Sequence, residues 1–268
     1  DLVDRFRFDP MFSNARADVL FALEPRQARM ESGADISLMI DFFIDKMPSY
    51  AVLQYPISGR YVQMPEGRRV FRVSVCDGEE RRLRRSFRRR NRSELNAEAA
   101  FLVDEITGEF GVDTLPERVG GLLMSVLLRR EVQYGRFRLW LRRLRTKCVV
   151  TSVHYNLSNL ILAEAAHSLG LPVVELQHGT VFPGHVAYNL PPNGSIYRPD
   201  FFFAWGEFWK RGLRNYTRKS ELCTGYPYFD HHVSACPRVK RNDGVVRVLF
   251  VSQGTIGGPL SAVAAEVA

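Results

Sequence analysis

Short runs of β-branched and aromatic residues alternate along this chain with longer stretches of helical periodicity, and several of the runs are apolar at every position. A strand that is apolar on both sides needs cover on both faces, which is the situation of a parallel sheet layered between helices. The alternation predicts an α/β fold with a doubly wound, mostly parallel, Rossmann-like sheet. Candidate strands are 18–23, 50–55, 69–75, 148–153, 172–177, 200–205, 221–226 and 246–252. Candidate helices are 36–47, 93–107, 117–146, 157–169 and 206–216, with another starting near Pro259. The clearest is 157–169, where Leu157, Leu160, Ile161, Ala165 and Leu169 recur at helical spacing and Gly170 and Pro172 end the pattern. It joins 148–153 to 172–177 as a right-handed βαβ crossover.

With 268 residues, 46% of them hydrophobic, the chain is long enough to bury a full core. The polar stretch 231–244, containing Pro237 and Gly244, precedes a fresh strand and helix. The expected organisation is one domain over 1–235, followed over 236–268 by a linker and the first strand and helix of a second α/β domain. One strand and one helix cannot build a core. The opening DLVDRFRFDP is not a signal peptide and reads as the middle of a longer protein. Cys76, Cys148, Cys223 and Cys236 lie far apart with no C-x-x-C pair, which fits a reducing cytoplasm. No apolar run approaches the roughly 20 residues that span a bilayer.

The net charge of +8 is matched by one segment, 81–92, which holds eight arginines and no acid. The basic character is therefore local. Its functional reading is a patch facing anionic lipid, centred on Arg84, Arg85, Arg88 and Arg89, which would place the protein on the inner face of the cell membrane. Arginines interleaved with apolar residues over 136–145 add to that reading. The plainer one is a solvated loop or helix. A third possibility, binding to nucleic acid through 81–92, predicts steep salt dependence and leaves the strand-end residues unexplained; no nucleic acid is expected.

In open parallel sheets, ligands bind outside the carboxyl ends of the strands. Residues following the candidate strands are Glu24, Pro25 and Arg26, then His154, Tyr155 and Asn156, then His178 and Gly179, then Gly206 and Glu207, Pro227, and finally Gln253, Gly254 and Thr255. The most informative segment is PVVELQHGTVFPGH at 172–185, where a buried strand runs into Gln177 and His178, and Gly179 admits close approach or a positive φ. A histidine there is a candidate general base, because its ordinary pKa near 6.5 leaves it largely neutral in the cytoplasm. The alternative is a histidine that only ties down a neighbouring loop.

The string ELQHGTVFPGHVAY, followed by RPDFFFAWGEFWKRGL and TGYPYFD, resembles a family of GT-B glycosyltransferases of capsule and surface-polysaccharide assembly. VLFALEPRQARMESG near the start and VLFVSQGTIGGPLSAVAAEVA at the end resemble the first strands of that family's two domains. The match is weak over 56–147. The histidine-glycine pair is also similar to one in CDP-glycerol glycerophosphotransferases, whose histidine is regarded as a catalytic base. The resemblance implies the N-terminal, acceptor-side half of a GT-B fold with the start of the donor-binding domain. It implies transfer of a sugar from a nucleotide-activated donor to a glycan or lipid-linked glycan acceptor, with His178 catalytic and Arg26, His154, Gln177, Gly179 and Glu207 around the substrate. Ser252, Gln253, Gly254 and Thr255 are the donor-loop candidates, where backbone N–H groups at a helix N-terminus meet a diphosphate. The family's second histidine motif and nucleotide-binding acid do not occur within this sequence, so the chain alone is expected to be inactive. An epimerase acting on nucleotide sugars is the alternative on the same fold.

Glu207 reads equally as a helix-starting acid favoured by the macrodipole. Trp205 and Trp209, four apart, either pack into a core or stack on a sugar. The histidines lack metal-ligand spacing, and neither a metal nor another cofactor is expected. GTIGGP at 254–259 lacks the P-loop lysine and is not a dinucleotide fingerprint.

Overall fold

The computed structural model describes residues 7–23, 28–31, 34–56, 61–73, 92–111, 116–189, 196–213, 215–235 and 257–267. The elements in chain order are β1 (Val19–Leu23), β2 (Ala28–Glu31), β3 (Ala34–Ser37), α1 (Asp41–Ile44), β4 (Tyr50–Gln54) and β5 (Val70–Arg72). After them come α2 (Arg92–Phe110), α3 (Pro116–Leu144), β6 (Cys148–Thr151), α4 (Leu157–His167), β7 (Val173–Leu176) and β8 (Phe201–Ala204). The last are α5 (Glu207–Lys210), β9 (Ser220–Cys223), α6 (Pro227–Ala235) and α7 (Gly257–Val267).

Seven strands form one sheet in the order β5-β4-β1-β6-β7-β8-β9, and every pairing is parallel. The chain builds outward from β1 to β5, returns through α2 and α3, and builds outward again from β6. The strand order reverses between β1 and β6, which is the switch point of a Rossmann-like, doubly wound sheet.

Alternation along the apolar strands feeds two cores. Leu20, Ala22, Ala51, Leu53, Val149 and Val173 point to one side, against Phe137, Trp140, Leu141 and Leu144 of α3 and Ile161, Leu162 and Ala165 of α4. Phe21, Leu23, Val52, Val150, Val174 and Leu176 point to the other, against Met39, Ile40 and Ile44. Two covered faces explain why these strands read as uninterrupted apolar runs. On α3, Phe137, Trp140, Leu141 and Leu144 are buried in this core, whereas Leu139, Arg142 and Arg143 are exposed.

The crossover from β6 through α4 to β7 forms as expected. Asn156 caps α4 by accepting from the Asn159 N–H at 2.8 Å. Gly170 ends the segment with a φ of 70°, a left-handed value glycine adopts without a Cβ clash. Two helices are much shorter than their periodicity suggests. Within 36–47 only Asp41–Ile44 is helical, because 34–37 pairs antiparallel with 28–31 and the Asp41 carboxylate accepts from the Ser37 N–H at 2.8 Å. Within 206–216 only Glu207–Lys210 is helical. There Gly212 lies so close to the loop at 181–182 that a Cβ would stand 2.8 Å from the Val181 carbonyl oxygen, and Asn215 turns to a φ of 51°. Residues 231–235, the start of the polar stretch 231–244, belong to α6, on which His231 and His232 are exposed.

The chain divides into two compact units, Asp1–His231 and His232–Ala268. The first contains the sheet and both cores. In the second, α7 is described, while the candidate strand 246–252 lies outside the described residues. Among the described residues, no helix is long and apolar enough to cross a membrane.

Candidate functional site

The carboxyl ends of β6 and β7 adjoin the switch point, and the turns that follow them bring Tyr155 and His178 together. The Tyr155 hydroxyl is 3.0 Å from His178 Nε2, and the Tyr188 hydroxyl is 3.3 Å from Nδ1. Behind the ring, Glu175 Oε1 lies 3.7 Å from Nδ1. Three tyrosines and a second histidine complete the surroundings: the His185 ring lies 4.8 Å from Tyr188 and 5.9 Å from Tyr155, and Tyr188 packs edge-on at 5.0 Å against Tyr216.

Glu175 is the least ordinary residue of the group. It interrupts an apolar strand and is fully buried. Its carboxylate accepts from the His154 backbone N–H at 3.2 Å and from the hydroxyls of Tyr216 and Tyr188. Burial nevertheless outweighs these bonds and pushes its pKa up to about 8. Burial, together with the Glu175 charge, raises both tyrosine hydroxyls above their ordinary range, so they remain donors.

These bonds fix a proton pattern. An ionised Glu175 only accepts, so Tyr216 and Tyr188 must both donate to it. The Tyr188 oxygen and the carboxylate beside His178 Nδ1 are then both acceptors, and Nδ1 carries the ring hydrogen. Nε2 is left with its lone pair and accepts from Tyr155. Protonation of Glu175 removes that constraint. The His178 side chain is 12% exposed, and beside it a Cβ at Gly179 would meet nothing within 4 Å, so the approach is open.

The other sequence candidates fall in different places. Gln177 is buried and engaged at both amide atoms: its Oε1 accepts from the Trp205 N–H at 2.8 Å and its Nε2 donates to the Gly179 carbonyl at 2.8 Å. It ties the turn after β7 to the end of β8. Gly179 is not among the described glycines with positive φ. His154 is buried, with Nε2 against the Tyr197 carbonyl, and burial lowers its pKa to about 4. It supports Glu175 through its backbone N–H rather than facing solvent. Glu207 begins α5 on the surface, accepting from Lys210 at 3.2 Å and from the Cys223 thiol at 2.8 Å, and these bonds hold its pKa below the usual value. Trp205 stacks face to face on Tyr226 at 4.4 Å and meets Trp209 edge-on at 5.9 Å. Arg26, the arginines Arg84, Arg85, Arg88 and Arg89, and the donor-loop candidates Ser252, Gln253, Gly254 and Thr255 lie outside the described residues. Among the described residues, no group of three or more His, Cys, Asp or Glu side chains could hold a metal ion.

Sequence reasoning missed Glu175, Tyr188 and Tyr216. The signal for Glu175 was present, since a lone acid in a buried strand requires partners. Nothing local identified the tyrosines.

Fold and site together define a Rossmann-like α/β protein whose carboxyl edge carries a histidine held between two tyrosines and a buried carboxyl. No protein-family model matches the chain, and no curated protein matches it in sequence.

Proposed function

We propose that this chain is the acceptor-side part of a GT-B-type glycosyltransferase, and that His178 is its general base. The observation supporting this reading is the hydrogen-bond chain from buried Glu175 through Tyr188 to His178 Nδ1, which leaves Nε2 as the proton acceptor once Glu175 is ionised. The motif resemblance over 175–230 supplies the reaction class. In this mechanism the Tyr155 hydroxyl occupies the position that an acceptor hydroxyl takes against Nε2. The acceptor oxygen forms a bond to the anomeric carbon of the donor, its proton passes to Nε2, and the nucleotide leaves with the electrons of the broken bond. The donor is a nucleotide-activated sugar, and the acceptor a surface glycan or lipid-linked glycan. An anionic membrane surface, contacted through 81–92, is the proposed place of work.

The test combines turnover, melting temperature and a pH profile, measured on the full-length protein with a nucleotide-sugar donor. His178→Ala is expected to lower turnover by roughly 10²–10⁴-fold with the fold intact, whereas His231→Ala, on the exposed face of α6, leaves it unchanged. Turnover should rise with pH as Glu175 loses its proton, levelling above about 8. A His178→Ala protein with near-normal turnover ends the catalytic claim.

A further inference from the structure

At the outer edge of the sheet, beside β5, lies a cavity of about 800 Å³, a volume within the range of roughly 300–1,000 Å³ typical of small-molecule sites. Its strands are separate from the His178 site. β1 and β6 stand between β4 and β7, and three strand spacings of about 4.8 Å amount to roughly 14 Å.

The lining is electropositive: Arg7, Arg68, Arg69 and Arg72 contribute to it against one acid, Glu66. Their charges are differently engaged. Asp41 holds Arg68 at 2.5 Å, with Asp45 at 3.6 Å, and Arg69 donates to the Arg16 carbonyl. Arg72 lies over the rings of Phe8, at 3.7 Å, and Tyr61, at 4.4 Å. Stacking uses the faces of a guanidinium, and its N–H donors leave in the plane, along the edge that meets a carboxylate or phosphate. Arg7 sits 5.2 Å over the same Phe8 ring, bringing a second guanidinium to that side.

Gln54 is the second, independent observation. It is the last residue of β4, lines the same cavity and is 1% exposed. Its Nε2 donates to the Val62 carbonyl at 3.0 Å, but among the described residues its buried Oε1 has no hydrogen-bond partner. A buried acceptor left unmet is unfavourable, and a ligand hydroxyl is the donor that would meet it. Gln54 pairs with Arg72 across β4 and β5, so the acceptor and a stacked guanidinium sit on neighbouring strands. A strand spacing of about 4.8 Å is comparable to the reach between an acidic substituent and a ring hydroxyl of one monosaccharide.

We infer that this cavity binds an anionic sugar or polyol, a molecule carrying a phosphate or carboxylate together with free hydroxyls. The site stands or falls independently of the role proposed for His178, because its test is binding alone. The protein is titrated calorimetrically with glucose 6-phosphate, glucuronate and glucose at low and at high salt. At least one of the two acids should bind saturably, more weakly as salt rises, and about tenfold or more tighter than glucose, as charge-assisted hydrogen bonds to arginine require. Binding of only one acid identifies phosphate or carboxylate as the group recognised. Arg72→Gln and Gln54→Leu should each weaken the bound acid severalfold. Arg7→Gln, an exposed change that leaves the fold undisturbed, should weaken it as well. The inference is overturned if neither acid binds, if glucose binds equally well, or if Arg7→Gln and the folded variants among the other two bind as the original chain does.

Discussion

Replacing Glu175 with glutamine should make the protein more stable in alkali relative to the original chain, with an advantage that grows as pH rises. Burial lifts this carboxyl from its ordinary 4.5 to about 8. At about 1.4 kcal/mol per pH unit, holding the charged form inside the fold costs up to about 5 kcal/mol relative to the unfolded chain. The sign follows from proton counting. Below pH 4.5 both states are protonated and nothing is lost. Between about 4.5 and 8 the unfolded chain releases a proton that the folded chain retains, so stability falls as pH rises, and above 8 the loss is complete. Glutamine has no charge to bury. Its amide oxygen still accepts from the His154 N–H, and the Tyr216 hydroxyl can turn to accept from the amide. At about 2–3 °C per kcal/mol for a chain of this size, the gain in melting temperature between pH 5 and 9 approaches 10 °C. Thermal melts of both proteins at closely spaced pH values measure it. Parallel curves for the two proteins would refute the reasoning, because they would mean that Glu175 is not the group whose proton the fold retains.

His154 titrates in the opposite sense: burial lowers it to about 4, so the unfolded chain takes up the extra proton and stability is lost as pH falls from 6.5 towards 4; a His154→Gln protein should show a flatter melting curve over that window. Arg130→Met should cost about 1–3 kcal/mol, measured by urea unfolding, because Arg130 Nε donates to Glu164 at 3.0 Å and the substitution leaves that 5%-exposed carboxylate unpaired. Trp140→Phe should cost about 1–3 kcal/mol by the same assay, since the indole Nε1 donates to buried Asp9 at 2.8 Å and phenylalanine offers no donor.

The parts of the fold legible in the sequence are those whose cause is local. Strands such as Val19–Leu23 announce themselves because burial on both faces forces apolar residues into consecutive positions, and α4 is legible because its cap and terminating glycine adjoin its apolar stripe. The lengths of α1 and α5 are set at a distance. The backbone at Gly212 is pressed against Val181, and Tyr216 is drawn into the core by a carboxylate 41 residues away. Helical periodicity contains neither fact. The same distinction runs through the site. His178 is identified by its position after a buried strand, whereas the partners that determine its hydrogen come from β7, from the turn at 186–188 and from residue 216. Their assembly is a property of the parallel register, not of any one segment.

That register also bears on why the acid is there at all. Elsewhere in the described fold, buried acids serve structure and have ordinary partners: Asp9 receives Trp140, Asp41 receives Ser37 and Arg68, and Asp200 receives His167 and the Val173 N–H. Asp200 consequently titrates below the usual carboxylate range. Burial raises Asp41 as well, but there Arg68 opposes it; about Glu175 stand two phenols and a backbone N–H and, among the described residues, no cation neutralises it, so its protonated form is favoured. A position chosen only for stability, in a strand otherwise composed of Val, Val and Leu, would be filled better by an apolar residue. Local violations of this kind concentrate where chemistry requires them, and this one lies 3.7 Å from His178, beside the open space at Gly179.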